Sequence, residues 1–285
     1  MTDQFEEHRS RLRAVAYRLL GSLSEADDAV QETWLRLNRT DASEIENLGA
    51  WLTTVTARVS LNMLRSRSTR REEPLDELRM PDPILDRADG IDPEHEALLA
   101  DAVGLALLVV LERLSPPERL AFVLHDMFAV PFDEIGSIVD RSPDAARQLA
   151  SRARRRVRGA SPDPDADPGA EREVVDAFLA AARDGDFARL LEVLDPDVIL
   201  RADDGTGALE IVQGAQVVAT RANTFGIRRV AHPALVDGAA GFVATEGGVP
   251  VAVLAFTIHD GRIVAIDALG GPRLAGLGLE AFVAT

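Results

Sequence analysis

Residues 141–160 hold seven arginines and one acid, Asp144, a local charge of +6. Guanidinium groups are planar and permanently charged, with a fork of donors that fits phosphate oxygens and guanine edges. Helical spacing sorts these side chains. Phe132, Ile135, Ile138 and Val139 predict one apolar helix face, and Asp140 and Arg141 turn the chain. Ser142 is placed to cap a second helix and Pro143 to take its first position, where no amide donor is needed. Ala146, Leu149, Ala150, Ala153 and Val157 then form a buried stripe. Arg147, Gln148, Ser151, Arg152, Arg154 and Arg155 are left on the outward face, as residue types that reach phosphates and base edges. A helix-turn-helix facing DNA is one meaning of this pattern; an ordinary solvated surface helix is the other.

A second basic stretch lies upstream. Leu48, Leu52, Val55, Val59 and Met63 predict a helix over roughly 48–68, with Arg58, Asn62 and Arg65 together on another face. Arg67, Arg70 and Arg71 follow, so residues 58–71 hold five arginines and no acid. Two such patches on separate helical modules favour a protein that meets DNA at two places. Further upstream, Leu12, Val15, Ala16, Leu19 and Leu20 make one apolar face. Ser24 is expected to cap the next helix, with Ala26, Ala29, Val30, Thr33 and Leu37 facing inward. Its outer face carries Asp28, Gln31, Glu32 and Leu35, flanked by Asp27 and Trp34. That stripe is either a protein-docking surface or a solvated acidic face.

The chain has 285 residues, enough for two or three domains, and 46% hydrophobic content, ample for packed cores. Its net charge is −16, unevenly spread: 22 Arg against 28 acids in residues 1–160 give −6, and 9 Arg against 19 acids in residues 161–285 give −10. All 31 basic residues are arginine. With no cysteine, disulfides, thiol catalysis and cysteine-bound zinc are excluded. His8, His95, His125, His232 and His259 show no metal-ligand spacing, so neither metal nor cofactor is expected. No apolar run is long enough to span a membrane and no signal peptide opens the chain, so a soluble cytoplasmic protein is the expectation.

Two stretches rich in proline and acid, 72–96 and 159–170, read as linkers that cannot sustain helices or supply a core. They leave blocks at 1–71, 97–158 and 171–285. The middle block opens on Val103, Leu107, Val110, Leu111 and Leu114, and Ser115-Pro116-Pro117-Glu118 starts its next helix with a cap. In the last block two helices (171–183, 187–194) precede strand-like runs at 198–202, 228–235, 241–245, 249–259 and 262–269. A helix near 214–225 interrupts them, and Asp260-Gly261 makes a hairpin turn. Helices followed by an antiparallel meander indicate an α+β domain with a curved sheet wrapped around helices.

Residues 12–38, with the run Asp27-Asp28-Ala29-Val30-Gln31-Glu32-Thr33-Trp34, resemble region 2 of bacterial sigma factors. Residues 111–158, with Ala145-Ala146-Arg147-Gln148-Leu149-Ala150-Ser151-Arg152, resemble region 4, a helix-turn-helix module. The lack of other regions matches the extracytoplasmic-function group. Residues 171–285 resemble the SnoaL-like, cone-shaped α+β domain fused to a subset of that group. The resemblance implies a multidomain chain: all-α region 2 and region 4 modules followed by the cone domain.

It also implies roles. Asp27, Asp28, Gln31, Glu32, Trp34 and Leu35 would dock on core RNA polymerase. Arg58, Asn62, Arg65, Arg67, Arg70 and Arg71 would melt and read the −10 element of promoter DNA. Ser142, Arg147, Gln148, Ser151, Arg152, Arg154 and Arg155 would read the −35 element in the major groove. The 72–96 linker would thread toward the polymerase active centre. Regulatory motifs of the subset fall at Asp204-Gly205-Thr206-Gly207, where an Asp-Gly-Gly-Gly run is usual, and at Gly271-Pro272-Arg273-Leu274, a looser match. A promoter-specific initiation factor, without covalent chemistry and controlled in cis by its last domain, is the leading expectation. Three alternatives stand beside it: a repressor that never initiates, a last domain that senses a small-molecule ligand in an apolar cavity, and a last domain that is an isomerase- or hydrolase-like enzyme. The enzyme would have to draw on Asp203, Asp204, Asp267, His232 and His259, since the only Tyr is Tyr17, and no tight constellation is visible among them.

Overall fold

The computed structural model describes residues 2–40, 45–70, 80–88, 90, 92, 95, 104–157, 167–206, 209–226 and 229–282. They form two units: Met1–Leu75 with Pro93–Asp101 and Leu108–Arg158, and Asp76–Asp92 with Ala102–Leu107 and Gly159–Thr285.

The first unit begins with helices α1 (Thr2–Leu20), α2 (Leu23–Leu37) and α3 (Leu48–Arg70). Phe5, Leu12, Val30, Leu37 and Leu52 make a buried cluster, with Trp34 and Trp51 packed against it. The Thr33 and Thr56 hydroxyls meet at 3.0 Å inside, and Thr33 also donates to Ala29 O, so α2 and α3 cross without an orphaned hydroxyl. Helix α2 starts one residue before Ser24, with Ser22 at the cap position. The two serine hydroxyls lie 3.1 Å from one another, so Ser24 is not the cap expected from sequence.

After α4 (Gly104–Glu112) comes α5 (Pro116–Phe122), opened by the expected Ser115–Glu118 capping box and continued by one π turn, Val123–Met127. Helices α6 (Phe132–Val139) and α7 (Pro143–Val157) complete the unit. Asp140 closes α6 in the left-handed region at φ 57. A Cβ at Gly136 would come within 2.7 Å of Arg141 O, so the tight turn between α6 and α7 needs glycine there.

In the second unit, α8 (Pro168–Asp184) is capped by Asp167 and α9 (Phe187–Val193) by Asp186, each carboxylate accepting a backbone amide at 3.0 Å. The strands are β1 (Leu85–Arg87), β2 (Leu194–Asp203), β3 (Glu210–Gln213), β4 (Val230–Val236), β5 (Ala239–Glu246), β6 (Val249–His259) and β7 (Arg262–Gly270), with α10 (Ala215–Gly226) between β3 and β4. They make one sheet in the order β1-β4-β5-β6-β7-β2-β3. The expected meander holds for β4 to β7, turned by Asp237-Gly238, Gly247-Gly248 and Asp260-Gly261, all six residues glycine or aspartate at positive φ. It fails at β2, which runs parallel to β7, so the sheet is mixed. Short, largely exposed β3 escaped the periodicity.

The expected linker departs most from expectation. Met80, Pro81, Pro83 and Ile84 are buried, and Leu85–Arg87 pair antiparallel with Ala234–Val236 as β1. Proline is compatible with extended backbone at a sheet edge, and the two apolar side chains between acids supply core. This stretch is therefore structural and belongs to the second unit.

Candidate functional site

The buried stripe of α7 consists of Ala146, Ala150, Ala153 and Val157, with Leu149 half-buried. Ser142 Oγ accepts from Ala145 N at 3.2 Å, as a cap does. Arg147, Gln148, Arg152, Arg154 and Arg155 are exposed and Ser151 is half-buried. Three of these arginines have acidic neighbours. Arg147 donates to Asp144 at 2.6 Å and stacks over Phe132, Arg154 donates to Asp126 at 2.8 Å, and Arg152 lies 3.6 Å from Glu118. A charge count within residues 141–160 misses Asp126 and Glu118, which reach α7 from the π turn and from α5.

Glu118 is the hub of that acidic support. Its carboxylate accepts from the Ser115 hydroxyl at 2.7 Å and from Arg156 at 2.7 Å. Burial opposes its ionisation, but the hydroxyl and amide of Ser115 and the charges of Arg156 and Arg152 outweigh that and hold the carboxyl below its usual value of 4.5. A carboxyl depressed by folding stabilises at pH above its ordinary value, and that contribution is lost as pH falls through the lowered one. Glu118→Gln is therefore expected to cost about 1–3 kcal/mol at pH 7 and to flatten the acid limb below about pH 4.5. Urea midpoints between pH 7 and 3 check this; parallel limbs in the two proteins would refute it.

In α3, Asn62 and Arg65 are exposed, and Arg67 is tied to Glu25 and to Leu20 O, each at 3.1 Å. Arg71 and the side chain of Arg70 lie outside the described residues. A groove of about 480 Å³ floored by Val59 and Met63 runs between Asp28 and Glu32 on α2 and Asn62 and Arg67 on α3. Asp28, Gln31 and Leu35 are exposed. Asp27 pairs with Arg13 at 2.7 Å and Glu32 with Arg36 at 2.9 Å. Trp34 departs from a free docking residue: its ring sits 4.9 Å from that of Phe5, so it also anchors α2 to α1.

The helical modules of the first unit touch. Arg58 donates to Ser137 O at 3.3 Å, and Arg11 to Phe128 O at 3.3 Å. Arg119, whose side chain is 4% exposed, donates to Leu19 O at 2.9 Å and to Glu112 at 2.6 Å. A cation is well placed at the last carbonyls of α1.

In the second unit, the two glycine-containing motifs meet. The Asp203 carboxylate accepts from Gly205 N at 2.9 Å and from Met80 N at 2.9 Å. Arg273 pairs with Asp203 at 3.2 Å and with Asp82 at 3.3 Å, and donates to Met80 O. Gly205 is at φ +74 with Arg273 3.0 Å from where a Cβ would stand; Gly271 is at φ +52, where a Cβ would fall 2.4 Å from Asp204 O. Thr206 donates twice to Asp204, which lowers that carboxyl's pKa. Pro272 and Leu274 complete a 3-10 turn (Gly271–Leu274), while Gly207 lies outside the described residues. At the other end of the held segment, Ile84 N donates to Asp237 Oδ1 at 3.2 Å and Asp237 N to Ile84 O at 2.8 Å. Residues 80–87 are thus pinned at both ends.

A cavity of about 820 Å³ lies under α8 and α10. Leu200, Ala202, Ile266, Ala268, Ala231 and Pro233 line it. Side chains alternate along strands, so Arg201, Asp203, Asp267 and His232 point from the opposite face. Arg201 and Asp267 are engaged there as a bidentate pair at 2.5 and 2.7 Å, and His232 bonds Thr245 at 3.0 Å. The acids and histidines an enzyme would need are not brought together in the cavity. Among the described residues no group of His, Asp and Glu could hold a metal ion, and no helix is long and apolar enough to cross a membrane.

Two recognition modules in one unit and an α+β unit that grips the segment between them define an architecture with counterparts. The chain matches the models for sigma-70 region 2 over residues 4–70 and sigma-70 region 4 over residues 104–157. It belongs to the extracytoplasmic-function sigma factors, which direct promoter-specific transcription initiation by RNA polymerase. Among its relatives, the extracytoplasmic-function sigma factor SigJ of Mycobacterium tuberculosis is 38% identical over 94% of this chain and 91% of its own length. The probable sigma factor SigI of Mycobacterium tuberculosis is 36% identical over 93% and 91%. The crystal structure of SigJ superposes with a TM-score of 0.77 at 35% identity, covering 98% of this chain and all of the other. That match extends through the α+β unit.

Proposed function

We propose that the α+β unit holds this sigma factor in check by gripping the segment that joins its two DNA-reading modules. The observation that carries this is the pinning of residues 80–87 by Asp203 and Arg273 at one end and by Asp237 and β4 at the other. A chain segment paired as a strand is not available to thread into polymerase. Polymerase must then release it, and the grip sets the cost.

The contacts inside the first unit support the same view. The −10 and −35 elements lie more than two helical turns apart, on the order of 70 Å of duplex. Arg58 stands 3.3 Å from Ser137 in the helix-turn-helix, so one arrangement cannot serve both elements. In the open form, α7 enters the major groove, where Gln148 and Arg155 reach base edges and Arg147, Arg152 and Arg154 exchange their acidic neighbours for phosphates. Arg58, Asn62, Arg65, Arg67, Arg70 and Arg71 take the −10 strand, and Asp28, Gln31 and Leu35, with Asp27, Glu32 and Trp34 beside them, meet the polymerase. The protein works where polymerase is, in the cytoplasm.

In vitro transcription with core polymerase tests the grip. Arg273→Met and Asp237→Ala, each in the full chain, are expected to raise output roughly fivefold or more, the range of ordinary coupling energies. Unchanged output with the segment freed, shown by faster amide exchange at 85–87, would count against it.

The α+β unit has a second role in this proposal, as a small-molecule site rather than an enzyme. The cavity favours it: a half-open, largely apolar space of ligand size, with Asp203, Asp267 and His232 on the opposite face of the sheet.

A further inference from the structure

We propose that the cavity of the α+β unit takes an uncharged, largely apolar molecule bearing one acceptor oxygen, a ketone, ester or lactone, held by Arg229. This rests on the cavity being a ligand site and names what enters it.

Phe178, Leu200, Val218, Phe242, Leu254 and Ile266 make the interior, and none can ionise. The volume of about 820 Å³ lies in the range of ligand pockets. The ionisable groups in the lining are Asp176, Arg183, Arg221 and Arg229, and each has an opposite charge nearby. Asp176 lies 3.3 Å from Arg172, Arg183 3.6 Å from Asp184, and Arg229 3.4 Å from Glu246, while Arg221 donates to Glu210 at 2.6 Å. The lining therefore has no spare positive charge for an anion, and residues 161–285 carry 9 Arg against 19 acids, a net of −10 that repels one further. A cation would have to leave water for an apolar interior.

One donor is left over. Arg229 lies over the Phe225 ring, 4.1 Å from its centroid, and donates to Phe225 O at 3.1 Å. Its Nε is buried with no partner. A buried N–H without an acceptor is costly, and a neutral oxygen supplied by a ligand removes that cost without adding charge.

Fluorescence titration of the full chain tests this, using the uncharged ketone dye prodan and the sulfonate dye ANS. Prodan is expected to bind saturably with a blue shift, at least about tenfold tighter than ANS. Ala222→Phe and, separately, Ala202→Leu fill the cavity and should abolish saturable binding. Arg229→Met should weaken prodan about three- to tenfold, the loss of one hydrogen bond. No saturable binding of either dye, or binding indifferent to both filling substitutions in folded protein, overturns the cavity as a ligand site and the proposal with it. ANS binding as tightly as prodan and blocked by the same substitutions leaves the site standing and overturns the ligand class.

Discussion

Replacing Asp267 by alanine is expected to destabilise the second unit by about 3–5 kcal/mol, because Arg201 would stay buried with its charge unanswered. The Arg201 and Asp267 side chains are 8% and 1% exposed, and both guanidinium donors of the fork are engaged. The loss has two parts: the bidentate bonds and, larger, the desolvated cation left behind. The double replacement Arg201→Met with Asp267→Leu separates them. It removes both charges, fills similar volume, and should fall within about 2 kcal/mol of the parent or exceed it. Denaturant unfolding of the three proteins checks this. An Asp267→Ala cost under 1 kcal/mol, or a double variant as unstable as the single one, would show that the pair is not desolvated as described.

Arg119→Ala is the second large effect. Arg119 joins the end of α1 to Glu112 through a buried bond to Leu19 O and a half-buried one to the carboxylate. Its removal leaves the Glu112 carboxylate and Leu19 O without that donor, and the expected loss is about 3–5 kcal/mol, the value for one partner taken from a buried pair. Because the contact spans the two helical modules, the loss should appear first as their separation. Amide exchange at the end of α1 should quicken well before the α6–α7 amides do. Uniform acceleration across the unit would mean instead that Arg119 only supports α5.

Helix faces were legible because each is a short-range period: Leu12, Val15, Ala16, Leu19 and Leu20 are buried together, as are Ala146, Ala150 and Ala153. The outward face of α7 followed from the same period. Its acidic partners did not, since Asp126 and Glu118 are more than one helix away in sequence and only folding brings them near. Composition misled at residues 80–84, where prolines and acids hid Met80 and Ile84. Two buried side chains make too weak a signal to outweigh four prolines, although proline is at home in an extended edge segment. Asp204, Gly205, Gly271 and Arg273 came from resemblance alone; their mutual contact depends on two positive-φ turns that no period reveals. Trp34 was legible as an amphipathic flank, but its contact with Phe5 needed α1 to extend back to Thr2.

Strand β1 covers only Ala234–Val236, and Pro233, which has no amide proton, stands where the ladder stops. When the segment leaves, the backbone groups of β4 at that edge and the apolar side chains of Met80 and Ile84 enter water together. An uncovered strand edge templates pairing with another chain, so release from the proposed grip would add Ala234–Val236 of β4 to the sheet edges open to such pairing. In the proposed grip, the three-residue strand would be a cover as well as a catch. Variants that free it should form concentration-dependent oligomers unless polymerase is present to receive the segment, which makes activation safest where it happens on the enzyme.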